Sequence, residues 1–157
     1  MDKKALHRSL LGALAAELET LEAAQRLSSE GVTHADAKAD GIKDMRATEA
    51  SYIARGQALR VASLRADLER VEALRIRPFG PDDPIALSAV VTVCDDDDQS
   101  RRMFLAPAGG GTRLGDIRVV TPGSPMGRAL LGRRVGDEVE VKAGPAGGQQ
   151  LEITDVA

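Results

Sequence analysis

The chain has 157 residues, enough for one ordinary domain or two small ones. Its 21 Lys and Arg stand against 24 Asp and Glu, net −3, so nothing points to a nucleic-acid binder held by bulk positive charge. Only Tyr52, Phe79 and Phe104 are aromatic, which leaves no base-stacking platform and no ring-walled pocket. The single Cys94 forbids an internal disulfide and a cysteine-based zinc site. With a charged, periodic start and no apolar run long enough to cross a bilayer, the expectation is a cytoplasmic protein without membrane contact.

Through Arg77 the chain is built of Ala, Leu, Glu and Arg with no proline, whereas all seven prolines follow. This change of composition marks a domain boundary. The stretch Arg77-Pro-Phe-Gly-Pro-Asp-Asp-Pro84 is dense in residues that stop helices and hold extended backbone, so 78–84 reads as the linker between 1–77 and 85–157. The first part carries 13 basic and 12 acidic residues and the remainder 8 and 12, which places the acidity in the C-terminal part.

In the first part Leu11, Leu14, Leu18 and Leu21 alternate spacings of three and four, as do Val61, Leu64, Leu68 and Val71. That is the seam of a coiled coil. It predicts helices over 3–29 and 45–75, each roughly 40–45 Å long. The polar interruption from Glu30 to Lys43, with Gly31 and Gly41, favours an antiparallel hairpin with its tip near 30–50. Pairing between two chains is the alternative use of such a seam.

The second part changes to period two and to β-formers. Strands are expected over Ile85–Cys94, Arg102–Ala106, Asp116–Val120, Glu138–Val141 and Leu151–Val156, forming a small antiparallel sheet. Between the third and fourth, Ser124 stands as an N-cap, Pro125 at the first helical position and Gly132 at the C-terminal stop. One short helix therefore crosses the sheet, pressing Ala129 and Leu130 or Leu131 into it. The fold class is a helical hairpin followed by a small α+β domain.

Other features have plainer readings. Asp95-Asp-Asp-Asp98 lies between two expected strands, where acids in a turn are ordinary, although four adjacent like charges also suit a cation or a basic partner. Gly109-Gly-Gly-Thr112 lacks the Lys-Ser/Thr of a phosphate loop and reads as a turn. His7 and His34 have no metal or triad spacing and are expected at the surface. Cys94 ends an apolar strand as a small core residue.

The order Val119-Val-Thr-Pro-Gly-Ser-Pro-Met-Gly-Arg-Ala-Leu-Leu-Gly-Arg-Arg-Val-Gly-Asp-Glu-Val-Glu-Val141 resembles the C-terminal domain of the bacterial Gre transcript-cleavage factors. The hairpin ahead of it, with Tyr52 in its second arm, extends the likeness by architecture. The resemblance implies an FKBP-like C-terminal domain docked on bacterial RNA polymerase at the rim of its secondary channel. It implies a monomer whose hairpin reaches toward the active site, touching nascent RNA only indirectly. Such a factor is no enzyme by itself; carboxylates at its tip help hold a Mg²⁺ shared with the polymerase, because two-metal cleavage needs oxygen ligands beside the attacking and leaving oxygens.

Carried over residue by residue, the docking face falls on Ser124, Pro125, Met126, Arg128 and Leu131, with Ser124 also capping and Leu131 also packing. The tip departs from the family pattern Gly-Asp-Leu-Lys-Glu-Asn-Ala-Glu-Tyr. Aligned from Tyr52, the two functional acids fall on Met45 and Thr48; a shift of one residue recovers Asp44 but puts Ala47 in the second acidic position. The nearby acids are Asp36, Asp40, Asp44 and Glu49, of which Asp40 and Asp44 are the candidate Mg²⁺ ligands; Asp36, Asp40 and Asp44 would share one face if that stretch were helical. Two mechanisms follow: stimulation of RNA cleavage with these acids as substitute ligands, or a non-cleaving modulator that occupies the channel. FKBP-like folds also include peptidyl-prolyl isomerases, whose aromatic-lined sites this part cannot match with Phe79 and Phe104 alone. A coiled-coil adaptor is the remaining alternative.

Overall fold

The computed structural model describes residues 2–35, 43–142, 145 and 147–157. Two long helices lead, α1 (Lys3–Ala35) and α2 (Lys43–Glu72). There follow β1 (Val90–Asp95), β2 (Ser100–Leu105), β3 (Arg113–Leu114), β4 (Ile117–Val120), α3 (Pro125–Leu130), β5 (Glu138–Lys142) and β6 (Gly148–Val156).

α1 starts where the Asp2 carboxylate accepts hydrogen bonds from the backbone N–H groups of Lys4 and Ala5, satisfying donors that a helix start leaves open. It runs through Glu30 and Gly31, where an interruption was expected; one glycine costs a helix only about 1 kcal/mol and does not end a run of strong helix formers. At 33 residues it is about 50 Å long. α2 stops at Glu72, short of the expected Arg75.

The start of α1 meets the end of α2, so the pair is antiparallel. His7 Nε2 lies 2.7 Å from the Val71 carbonyl oxygen, and the Lys3 ammonium donates to the Arg77 carbonyl. His7 is thus half-buried at the hairpin base, contrary to the expected surface position. Lys3 and the Arg77 guanidinium stand 4.8 and 3.9 Å from the centre of the Phe79 ring. Burial, and next the Arg77 charge, lower the Lys3 pKa from its ordinary value. Ion pairs Arg60–Glu17, at 3.1 Å, and Arg65–Glu22 tie the two helices at their surfaces.

The strands form one sheet in the order β3-β4-β2-β1-β6-β5. Every neighbouring pair is antiparallel except β2 and β4, which run parallel, from Arg102 opposite Ile117 to Leu105 opposite Val120. The expectation of a wholly antiparallel sheet fails here because the chain does not turn directly from β2 into β4. It passes through a glycine loop, with Gly109 and Gly111 at φ of 78° and 91°, and enters β4 through the extra strand β3. The β3–β4 turn is Gly115-Asp116, with Gly115 at φ 66°, the conformation a two-residue hairpin loop requires of its first residue.

β1 also begins later than expected, at Val90 rather than Ile85. Ser88 adopts φ 74°, a left-handed backbone that interrupts extended structure. It is fully buried; its N–H donates to the Leu105 carbonyl at 2.9 Å and its hydroxyl accepts from the Arg77 N–H at 3.2 Å, tying the linker to the sheet.

Alternation along the central strands sends side chains to two covered faces. Val91, Val93, Met103, Leu105 and Val120 pack with Leu130 of α3 on one face. Val90, Phe104, Ile117 and Val119 pack on the other against Leu10, Leu14, Leu64 and Val71 of the hairpin. Met103, Phe104, Leu105 and Ala106 are consequently all buried, and each large member contributes about 1.5–3 kcal/mol. Leu10, outside the expected seam, is completely buried. Gly109 permits that approach: a Cβ there would lie 2.8 Å from Leu10 Cδ1.

Candidate functional site

α3 is built by the signals that predict it. Ser124 has the extended backbone of a cap, φ −73° and ψ 155°. Its hydroxyl accepts from the Gly127 N–H at 3.0 Å and donates to the Thr121 carbonyl at 2.8 Å. Gly127 is required by space, since a Cβ there would stand 1.9 Å from the Thr121 carbonyl oxygen. The helix ends where the Leu131 N–H bonds the Gly127 carbonyl and Gly132 turns to φ 76°. Gly132 N–H then donates to the Ile85 carbonyl and Ile85 N–H to the Arg133 carbonyl, both at 2.8 Å, pinning α3 to the entrance of the sheet.

The five docking candidates divide by burial. Pro125, Arg128 and Leu131 are exposed and, at spacings of three, form a stripe along α3. Ser124 is engaged in the cap, and Met126 is half-buried against the core beside Leu130. The Arg128 guanidinium donates back to the Gly123 carbonyl, which holds its stem along the helix start. Leu87, read in the sequence as part of a strand, lies in a turn and is 37% exposed, as is Leu131; two residues before it, Ile85 is the one bonded to the end of α3. No local signal marks Leu87, because its exposure follows from the left-handed turn at Ser88.

At the hairpin, Asp36 and Asp40 lie outside the described residues. Asp44 is the second residue of α2. Glu49 is exposed five residues on, roughly 140° away around the axis, so Asp44 and Glu49 occupy different faces. Met45, in the register of the first family acid, is 82% exposed, and Thr48 in the second register is exposed as well. Among the described residues no three His, Cys, Asp or Glu side chains gather as a metal-holding group.

In the remaining acidic motif, Asp95 is internally engaged. Asp95 accepts from the N–H groups of Asp97 and Gln99 and pairs with Arg101 at 2.7 Å. The Gln99 N–H, more than Asp97 or Arg101, holds the Asp95 carboxyl below its ordinary pKa. Cys94 is half-buried and free.

A long helical hairpin seated on a two-faced sheet, with a capped short helix exposing an apolar and cationic stripe, defines an architectural class of rod and head. The family model described as "Transcription elongation factor, GreA/GreB, C-term" matches residues 80–157. Transcription elongation factor GreA of Sphingopyxis alaskensis is 30% identical over 145 residues, covering 91% of this chain and 88% of that protein. GreA of Rhodospirillum rubrum is 28% identical over 163 residues, covering 99% and 98%. Among solved structures, Gfh1 of Thermus aquaticus is 23% identical with a TM-score of 0.43, covering 92% of each chain. The chain belongs to the GreA/GreB family of transcription elongation factors.

Proposed function

We propose that this chain regulates transcription elongation by binding bacterial RNA polymerase at its secondary channel, with the α3 face docked at the rim and the hairpin directed inward. The observation that carries the reading is the exposed stripe Pro125, Arg128 and Leu131 on a helix whose opposite side is locked into the core. An exposed proline and leucine flanking a guanidinium supply an apolar anchor with a charged centre, a composition suited to protein binding. α1, about 50 Å long, gives the reach that insertion requires.

Within that reading, occupancy of the channel without stimulation of RNA cleavage fits the tip better. Cleavage support needs carboxylates converging on one ion. Here Met45 and Thr48 stand in the acidic registers, and Asp44 and Glu49 occupy different faces of α2. A Mg²⁺ held at Asp44 would need Asp40 or the polymerase to complete its oxygen shell; the ion would supply charge neutralisation and an activated water, while this chain would only position a ligand.

The test is a 3′-end cleavage assay on backtracked elongation complexes. The expected result is no acceleration by this protein, together with inhibition of cleavage stimulated by a competent Gre factor, relieved by Leu131→Asp. Acceleration that Asp44→Ala abolishes would instead establish the ligand-donating mechanism.

A further inference from the structure

The C-terminal part has only 8 basic residues, and four of them, Arg101, Arg102, Arg113 and Arg118, line one cleft of about 240 Å³ between β2 and the β3–β4 hairpin. Two are already engaged. Arg101 pairs with Asp95 at 2.7 Å and donates to Gln149 Oε1 at 3.1 Å, and Arg102 pairs with Asp116 at 2.8 Å. Arg113 and Arg118 differ: both are exposed, and neither has an ion-pair or hydrogen-bond partner for its side chain among the described residues. They are also direct cross-strand partners in the antiparallel β3–β4 pair, so their side chains rise from the same face. Like charges placed directly opposite destabilise a sheet, and guanidinium cannot shed its proton to relieve the repulsion. Asp116, the one acid in the lining, is spent on Arg102, so no carboxylate of the cleft answers this pair.

The surroundings narrow the ligand. Met103 and Ile117, the apolar members of the lining, are each only 3% exposed, so the cleft offers no anchor for a protein partner. The C-terminal part carries a net negative charge, and no aromatic side chain lies in the lining, which removes the positive track and the stacking rings that a single-stranded nucleic acid needs. Adjacent guanidinium forks at a small concave site match closely spaced, multiply charged oxyanions. We propose that this cleft binds a small polyanion bearing adjacent phosphoryl groups, of the di- or triphosphate class, held chiefly by Arg113 and Arg118.

The probe is sodium pyrophosphate, titrated calorimetrically into the full chain at about 0.15 M salt. Saturable binding at one site is expected, weakened at least about tenfold by Arg113→Ala or Arg118→Ala and abolished in the double variant. Arg75→Ala, an exposed arginine outside the cleft lining, should bind as the unmodified chain does. Without ligand, Arg118→Ala should melt no lower than the parent, because it removes a repulsion; this separates loss of a site from loss of the fold. Absence of saturable heat, or undiminished binding in the double variant, overturns the proposal. Tighter saturation of the same arginines by a short RNA or by an acidic peptide also overturns it, in favour of a macromolecular partner. None of these titrations contains polymerase, so the result is independent of the docking reading above.

Discussion

The base of the hairpin and its outer half are made of the same two helices but are stabilised differently. At the base, Leu10, Leu14, Leu64 and Val71 are buried against Phe104, Ile117 and Val119, so helix and sheet share one core. Farther out, α2 exposes Met45, Tyr52, Ile53 and Leu59, and α1 exposes Leu27. Met45, Tyr52 and Leu59 recur every seven residues on a line roughly 160° around the helix from the Val61–Leu64 seam. The positions that would continue the seam of α2 outward fall on Gln57, Ala54, Ala50 and Ala47, of which Gln57 and Ala50 are half-buried and Ala54 and Ala47 are exposed. A core shared with the sheet holds the base, whereas the outer arm turns several of its larger apolar side chains to solvent. The molecule joins a firm head to an arm whose apolar groups remain available to a partner.

Substitutions should separate these regions. Phe104→Ala removes the largest fully buried side chain between sheet and hairpin, with an expected loss of about 3–5 kcal/mol in urea unfolding. Gly127→Ala forces a Cβ to 1.9 Å from the Thr121 carbonyl oxygen; displacement of α3 should cost about 1–3 kcal/mol and weaken polymerase binding as well. Ser124→Ala removes the cap of α3 at about 0.5–2 kcal/mol, with the unfolding midpoint lowered accordingly.

A smaller effect is expected of Asp95→Asn and should depend on pH. Because the folded-state pKa of Asp95 lies below its ordinary value, the carboxylate adds stability that is fully present above the ordinary carboxylate range and is lost as pH falls through the lowered folded value. Melting curves of parent and variant should therefore differ at neutral pH and converge in acid. The smallest change is expected on the outer arm: Leu59→Ala, at a site 66% exposed, should move stability by less than about 0.5 kcal/mol. A loss comparable to that of Phe104→Ala would show that the arm has a core of its own.

Local grammar made much of this legible in the sequence. Ser124, Pro125 and Gly132 mark α3 because capping, the first-turn proline and the left-handed stop are properties of neighbouring residues. The two heptad-like seams mark the hairpin for the same reason. Less legible were features set by distant chain. The parallel β2–β4 pair depends on the path through Gly109–Gly111 and β3, and the burial of Leu10 depends on the sheet's second face. Ser88 has no glycine to announce its left-handed turn, so Ile85–Ala89 read as strand and Leu87 went unnoticed as surface. Arg113 and Arg118 are unremarkable until the β3–β4 register sets them opposite each other.

The docking face is tested most directly by titrating fluorescently labelled protein with purified bacterial core RNA polymerase and following anisotropy. A one-to-one complex is expected, weakened at least about tenfold by Leu131→Asp or Arg128→Glu and unchanged by Glu152→Gln, an exposed position in β6. Absence of a complex at micromolar concentrations, or equal binding by all of these variants, would contradict it.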